Sequence, residues 1–199
     1  CAHHHRPLVF TSTDLVFDGT CPPYAEDATP SPLNAYARQK VAAEMEIQAQ
    51  HPHAVICRLP LMFGYAGPQA RGFAPEMVTA IAQGQPIQLF TDEFRTPLST
   101  NCAAAALLSA VSWPGGIYHL GGEERISRFA FGQRIADQLG VGEGHLQPLR
   151  QAELTMAARR APDVSLDNRK ARAMGFAPAS LDDAIARMLT DFGFAPAGT

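Results

Sequence analysis

Two short, largely apolar runs, 8–12 and 54–59, flank a helix-like segment and constrain the fold of this chain more than any other feature. Each run is continuous rather than alternating, which is typical of a strand that is buried on both faces of a parallel sheet. Between them, Asn34 is suited to cap a helix that reaches about Gln50, where a His-Pro pair ends it. Strand, crossover helix and strand form a βαβ unit, which is almost always right-handed. The sequence therefore predicts an α/β fold with a parallel sheet.

Other elements are predicted from helical periodicity, capping residues and short apolar runs. Ser127 and Ser180 are suited to cap helices. The stretch 18–32 holds four prolines and is predicted to be a loop. The further predicted helices cover 75–83, 102–111, 128–139 and 181–192, and the further predicted strands cover 87–90 and 117–120.

The composition excludes several classes of protein. At 199 residues and 46% hydrophobic, the chain can bury a core of ordinary size. A net charge of −3 gives no electrostatic basis for binding nucleic acid or an anionic membrane. No apolar run approaches the roughly 20 residues that span a bilayer. The four cysteines form no C-x-x-C pair, and the run His3-His4-His5 cannot face one metal ion, so we expect no metal site and a reducing, cytoplasmic location.

Tyr36 and Lys40 lie four residues apart in the first predicted helix and therefore share one face. Free tyrosine has a pKa of about 10 and exchanges protons poorly near neutrality. A neighbouring ammonium favours the phenolate, which makes a tyrosine usable in proton transfer. Thr13 follows the first predicted strand, where its hydroxyl can hold a carbonyl oxygen beside Tyr36. The pattern indicates proton-transfer chemistry at the carboxyl ends of the parallel strands.

The residues around this pair follow a longer pattern. It consists of Thr11-Ser12-Thr13-Asp14-Leu15-Val16-Phe17-Asp18-Gly19, Pro23-Tyr24-Ala25-Glu26-Asp27, Pro32-Leu33-Asn34-Ala35-Tyr36, Lys40 and Glu44. The pattern resembles the extended short-chain dehydrogenase/reductases, and within them the dTDP-4-dehydrorhamnose reductase-like branch. Weaker similarity continues through 58–64, 95–97, 118–122 and 163–167, so the resemblance covers most of the chain.

The resemblance implies roles for individual residues. The implied catalytic residues are Thr13, Tyr36 and Lys40, and Lys40 also holds the nicotinamide ribose. The cofactor is NADPH or NADH, and the residues implied to bind it are Ser12, Tyr36, Lys40, Pro60 and Met62. The residues implied to bind substrate are Asp14, Phe17, Arg95 and Arg160. The two arginines match positions near the substrate diphosphate, and a planar guanidinium suits paired phosphate oxygens.

The resemblance also implies how the chain is organised. The expected fold is a partial doubly wound, Rossmann-like parallel sheet with a smaller C-terminal substrate-binding lobe. Residues 1–66 and about 98–122 are expected to form the remainder of the NAD(P)-binding core. The substrate-binding lobe is expected to take in about 67–97 and 123–199.

Three features depart from the family pattern. No G-x-x-G-x-x-G follows a strand, so we expect these residues to be the C-terminal part of a longer protein. Leu15 stands where related dehydratases carry a Glu that acts with the preceding Asp, which favours reduction over elimination. Ala161 and Pro162 interrupt the usual Arg-Pro-Arg beside Arg160, which weakens the expected phosphate contact.

The resemblance implies an NAD(P)H-dependent reductase of a 4-keto nucleotide sugar or a similar keto compound. Two alternatives stay open. A nucleotide-sugar epimerase uses the same catalytic residues but retains its cofactor. A non-catalytic, NAD(P)-binding regulatory subunit also resembles this branch, as the methionine adenosyltransferase beta subunit does. A homodimer is compatible with each of these functions.

Overall fold

A computed structural model describes residues 1–65, 67, 73–155 and 159–194. The strands are β1 (Val9–Thr13), β2 (Val55–Leu59), β3 (Met62–Phe63), β4 (Ile87–Phe90), β5 (Phe94–Arg95), β6 (Leu98–Ser99), β7 (Gly116–His119), β8 (Ile126–Ser127) and β9 (Leu146–Leu149). The helices are α1 (Ala35–Gln50), α2 (Phe73–Ala82), α3 (Thr100–Ala110), α4 (Arg128–Leu139), α5 (Arg169–Ala173) and α6 (Leu181–Asp191). Within these described ranges, no helix combines the length and apolar character needed to cross a membrane.

A three-stranded parallel sheet, in the order β1-β2-β7, lies at the centre of the fold. Val9 of β1 is the register partner of Val55 in β2, and Thr13 is the partner of Leu59, so both strands end at the same level. Because α1 connects β1 to β2, the predicted βαβ unit is confirmed. All five residues of β2 are buried, as expected for the central strand of such a sheet.

Helices lie on both faces of this sheet. Cys57 of β2 belongs to a core cluster that includes Ala103 and Ala106 of α3. The next side chain, Arg58, points to the opposite face, where it is bonded to Glu44 of α1. The chain therefore has the predicted α/β fold, with the partial doubly wound arrangement that the family resemblance implied.

A second core cluster is built from α2, α4 and α6 together with β4 and β9. The two strands pair in parallel, with Leu89 beside Pro148. The predicted helix 181–192 is present as α6, and its apolar stripe, which includes Leu181, Ile185, Met188 and Leu189, is buried in this cluster.

Capping residues fix where the main helices begin. Asn34 Oδ1 accepts a hydrogen bond from Ala37 N at 2.8 Å, so α1 starts where the sequence predicted. Ser127 and Ser180 cap α4 and α6 in the same way. The Asn34 cap sets the position of Tyr36, the second residue of α1.

Two helices begin earlier than predicted. α3 starts at Thr100 because Ser99 Oγ accepts from Cys102 N at 3.2 Å and caps the helix. α2 is described from Phe73 and includes Pro75 as its third residue. Proline is tolerated in the first turn, where the missing N–H costs no helical bond.

Gly122 lies where the chain beyond β7 passes the turn between β5 and β6, and Gly122 N donates to Thr96 O at 3.0 Å. A Cβ at 122 would collide with the carbonyl oxygen of Pro97, which belongs to the main chain and cannot rotate away as the end of a side chain could. We expect Gly122→Ala to lower the free energy of unfolding by about 1–3 kcal/mol, the usual cost of overpacking.

Gly142→Ala is the matched control, because no described residue other than its two chain neighbours has an atom within 4 Å of its Cβ position, and its φ is −67°. Denaturant melts of both variants compare the two sites. Equal free energies of unfolding for Gly122→Ala and Gly142→Ala would show that the 96–97 turn can shift at no cost in stability.

Candidate active site

The carboxyl ends of β1 and β2 border a cavity of about 610 Å³. Thr13, Tyr36, Pro60 and Met62 form part of its wall. Four arginines also line it, namely Arg95, Arg128, Arg159 and Arg160. Ligands of doubly wound sheets bind at the carboxyl ends of the strands, so this cavity is the candidate active site.

Most of the residues that the sequence singled out lie at this cavity. Those that line it are Thr13, Asp14, Phe17, Tyr36, Pro60, Met62, Arg95 and Arg160. Ser12 and Lys40 are not lining residues, but each neighbours one: Ser12 precedes Thr13 in β1, and Lys40 follows Tyr36 by one turn of α1. Ser12 Oγ is buried and has no hydrogen-bond partner among the described residues.

The Tyr36 side chain is open to solvent, with 51% of the residue's surface exposed. Lys40 Nζ lies 5.9 Å from the centre of the Tyr36 ring and donates to Thr11 O of β1 at 2.8 Å. An ammonium has three N–H donors, so two remain for other partners. The structure thus places a cation one turn from the phenol and ties that cation to the edge of the sheet.

Among the described residues, the Thr13 hydroxyl has two hydrogen-bond partners. Thr13 Oγ1 accepts from Leu15 N at 3.2 Å and donates to Asp14 Oδ1 at 3.3 Å. Hydrogen bonds between two oxygens are normally about 2.7–2.8 Å long. The hydroxyl is therefore held in place by the backbone of Leu15, while its proton is weakly committed to Asp14 and is free to turn to another acceptor in the cavity.

Asp14 is a buried carboxyl group at the cavity wall. Asp14 Oδ2 has no hydrogen-bond partner among the described residues, and it lies 3.7 Å from Arg95 Nε. Burial raises the pKa of Asp14 to about 6, although the Arg95 guanidinium opposes this shift. The cavity therefore contains a carboxyl group that exchanges its proton close to neutral pH.

Glu93 is completely buried and gathers three of the arginines. It accepts from Arg160 Nε at 2.7 Å and from Arg128 Nε at 3.0 Å, and it lies 3.5 Å from Arg95 Nη2. Burial acts to raise the pKa of Glu93, but the bonds and charges of these guanidinium groups outweigh it and lower the pKa. Glu93 is therefore ionised and holds the arginines in place.

The balance of charge at the cavity is positive, because four guanidinium groups meet two carboxyl groups there. Arg95 is enclosed, since its Nη1 donates to the carbonyl oxygens of Phe94 and Ala161. Arg160 has a side chain that is 42% exposed, and Arg128 Nη1 is buried without a partner in the described part of the chain. These two groups retain donors for an anion such as a phosphate.

Glu93 and Arg128 were missed by the sequence analysis. One signal was available for Arg128, which is the first residue of α4. A cation is unfavourable at the positive end of a helix dipole, so an arginine there implies a compensating anion. Nothing in the sequence identifies Glu93 as that anion.

Phe17 lies at the cavity wall, but its side chain is fully buried. The ring stacks on Tyr24 with 4.0 Å between centroids. The ring thus packs against the chain itself at the cavity wall, and a role of Phe17 in binding substrate stays a prediction. His3, His4 and His5 are exposed, and no described group of three or more His, Cys, Asp or Glu is placed to hold a metal ion.

We expect Asp14 to make stability depend on pH. Because the folded chain binds the Asp14 proton more tightly than the unfolded chain does, the stabilisation is complete below the ordinary value of 3.8 and is lost as pH rises through about 6. The difference in free energy of unfolding between wild type and Asp14→Asn should change by roughly 2–3 kcal/mol between pH 4 and pH 7, about 1.4 kcal/mol for each pKa unit.

Asp18→Asn is the control for this measurement. Hydrogen bonds from Thr20 lower the pKa of Asp18 to about 2, so it titrates below the window. Urea titrations at several pH values provide the comparison. If the free energies of unfolding of wild type and Asp14→Asn depend on pH in the same way, the raised pKa of Asp14 is wrong.

The sequence matches the family described as RmlD substrate binding domain over residues 1–194. Among curated relatives, methionine adenosyltransferase 2 subunit beta of Danio rerio is 27% identical over 175 residues, covering 84% of this chain and 54% of the relative. The probable low-salt glycan biosynthesis reductase Agl14 of Haloferax volcanii is 27% identical over 197 residues, covering 96% of this chain and 66% of the relative. The chain thus spans between about half and two thirds of the length of these relatives.

Solved structures share the fold. A dTDP-4-dehydrorhamnose reductase of Bacillus anthracis, in complex with NADP, has a TM-score of 0.83 at 24% identity, with 93% of this chain and 66% of that chain covered. A hypothetical dTDP-4-dehydrorhamnose reductase of Sulfolobus tokodaii has a TM-score of 0.73 at 29% identity, with 87% and 61% covered. With a family match that extends over 1–194, the chain belongs to the RmlD substrate binding domain family, in the dTDP-4-dehydrorhamnose reductase-like branch of the extended short-chain dehydrogenase/reductases.

Proposed function

We propose that the intact protein is an NAD(P)H-dependent reductase of a 4-keto nucleotide sugar. One observation carries this proposal. Tyr36 and Thr13 both line one positively charged cavity, and the Lys40 ammonium lies one helical turn from the Tyr36 phenol. A keto group needs a proton donor at its oxygen when it is reduced, and an anionic nucleotide needs positive charge nearby. The cavity offers both.

The residues present fit the nicotinamide end of such a cofactor. Ser12 Oγ is buried without a partner in the described ranges, and Lys40 has two uncommitted N–H donors, so polar groups of a ribose would satisfy both. Pro60, which follows β2, Met62 of β3 and the ring of Tyr36 would provide the apolar contacts. When bound, the nicotinamide supplies the hydride.

The chain's own residues would manage the oxygen and its proton. The Thr13 hydroxyl, held by Leu15 N, would turn from Asp14 to the substrate oxygen and orient it. Tyr36 would donate its proton to that oxygen as the keto group becomes an alcohol. Lys40, 5.9 Å from the Tyr36 ring, would stabilise the negative charge left on the phenol.

The arginines would hold the diphosphate of the substrate. Arg160 and Arg128 retain donors, whereas Arg95 is enclosed by carbonyl oxygens and by Asp14 and would act mainly through its charge. We propose that 67–97 and 123–199 form the substrate-binding lobe, because all four arginines come from these segments.

Asp14 and Leu15 favour reduction over elimination. Elimination of water from a sugar needs an acid and a base, and Leu15 supplies neither. The buried Asp14 carboxyl would instead meet a hydroxyl of the sugar through Oδ2, which accepts no hydrogen bond from the described residues.

A regulatory subunit is a second candidate, favoured by the 27% identity to methionine adenosyltransferase 2 subunit beta. Oxidation of NADPH and NADH by the intact protein, with a panel of 4-keto nucleotide sugars, separates the two functions. A reductase should turn over at least one of them many times. Cofactor binding without turnover of any panel member would contradict the reductase and favour the regulator, and NAD that co-purifies with the protein would favour an epimerase.

Tyr36→Phe should lower turnover by about 10²–10⁴-fold, the usual contribution of a positioned proton donor. The ring remains, so the dissociation constant of the cofactor should stay near the wild-type value. Tyr118→Phe is the control, because the Tyr118 hydroxyl bonds only to Pro114 O among the described residues and lies outside the cavity lining. A Tyr36→Phe rate above half that of wild type would mean that another group provides the proton.

A further inference from the structure

Helix α1 carries Tyr36 and Lys40 but buries little apolar surface. Of its 16 residues, only Ala37 and Glu44 are fully buried. Helices in α/β folds are usually fixed by a continuous apolar stripe, and here the larger of the two buried side chains is a carboxylate. Val41, Ala43 and Ile47 of α1 are half-buried, so the contacts of the fully buried Glu44 are among those that hold α1 on the sheet.

Glu44 forms a buried ion pair with Arg58 of β2. Arg58 Nε donates to Glu44 Oε1 at 3.1 Å, and Arg58 Nη2 donates to Glu44 Oε2 at 2.7 Å. The side chains are 2% and 3% exposed. Two parallel bonds from a planar guanidinium fix both the distance and the angle of the carboxylate.

Arg58 is itself held from its other side. Its Nη1 lies 3.3 Å from His119 Nε2, and His119 Nδ1 lies 3.0 Å from Tyr24 O. Burial and the charge of Arg58 lower the pKa of His119 to about 3, so the ring is neutral, with Nε2 as the acceptor and Nδ1 as the donor. The guanidinium also lies 5.1 Å from the centre of the Phe17 ring. These contacts hold the Arg58 guanidinium in place from both sides.

The anchor and the functional residues share one rigid helix. Tyr36, Lys40 and Glu44 are spaced four residues apart, so each lies about 6 Å further along α1 than the one before. Arg58 is the register partner of Ser12, the residue before Thr13. The ion pair therefore ties the helix that carries the phenol to the strand pair that carries the Thr13 hydroxyl.

We propose that Arg58 and Glu44 are positioning residues, which set the register of α1 against the sheet and so hold Tyr36 and Lys40 at the distance from Thr13 that the reaction requires. The expected effect on catalysis rests on the proposed function. The anchoring of α1 by this ion pair does not depend on that function. Neither residue touches the cavity. A shift of about 1 Å in a reacting group can cost about 10²-fold in rate.

Arg58→Lys tests this role, because lysine keeps the charge but loses the two-pronged bond. Amide hydrogen exchange should become at least several-fold faster in α1 and stay unchanged in α3, since exchange reports local opening. In the intact protein, kcat should fall about 10–100-fold with KM for the keto sugar nearly constant. Arg134→Lys, in the exposed pair with Asp182 that joins α4 to α6, is the control and should change neither quantity.

Glu44→Asp is the second variant, since it keeps the pair's charges and withdraws the carboxylate by one methylene. It should show the same fall in kcat per folded molecule. If both variants melt at lower temperature but keep wild-type kcat and wild-type exchange in α1, the pair is only structural and the inference is wrong. If wild type turns over no keto sugar, the proposed function fails, and the exchange comparison alone decides whether the pair anchors α1.

Discussion

The in-register parallel pairing of β1 with β2 is the constraint on which the rest of the site depends. Because Thr13 is paired with Leu59, the hydroxyl at the end of one strand lies level with Pro60 at the end of the next. The connecting helix α1 then has to return along the sheet, and the Asn34 cap starts it beside the same strand ends. A shift in register by one residue would move every side chain of β1 to the other face of the sheet.

Charge decides what this framework can bind. Burying an ionised carboxyl group costs free energy unless nearby cations offset the cost. The two carboxyl groups of the site differ in how far cations do so. Glu93 is surrounded by three guanidinium groups and is kept ionised, so it organises them. For Asp14, burial outweighs the charges of Arg95, 3.7 Å away, and of Arg128, so its pKa is raised to about 6 and the carboxyl group changes charge near neutral pH. The excess of arginine over carboxyl groups leaves the cavity suited to an anionic ligand.

The sequence predicted the features that depend on local order and missed those that depend on distant contacts. Residues close together in the sequence determine the βαβ unit, the capped helices and the spacing of Tyr36 and Lys40. The structure contains each of these features. β9 was missed because only its two end residues are leucines, with Gln147 and Pro148 between them, and proline is uncommon inside strands. The bonds of Glu93 to Arg128 and Arg160 join positions 35 and 67 residues apart, which no periodicity reveals. The residue roles at the site remain predictions.

The most direct test of the mechanism is the pH–rate profile of Lys40→Met in the intact protein. In the proposed mechanism Lys40 stabilises the Tyr36 phenolate and donates to the cofactor ribose. If it does, removal of the ammonium should move the profile to higher pH and weaken cofactor binding. Lys170→Met is the matched control, because Lys170 Nζ donates to Ile117 O at 2.7 Å and lies 4.5 Å from the Tyr118 ring, outside the cavity lining. A Lys40→Met enzyme with the wild-type profile and wild-type cofactor affinity would contradict the account and leave Lys40 as an ordinary helix residue.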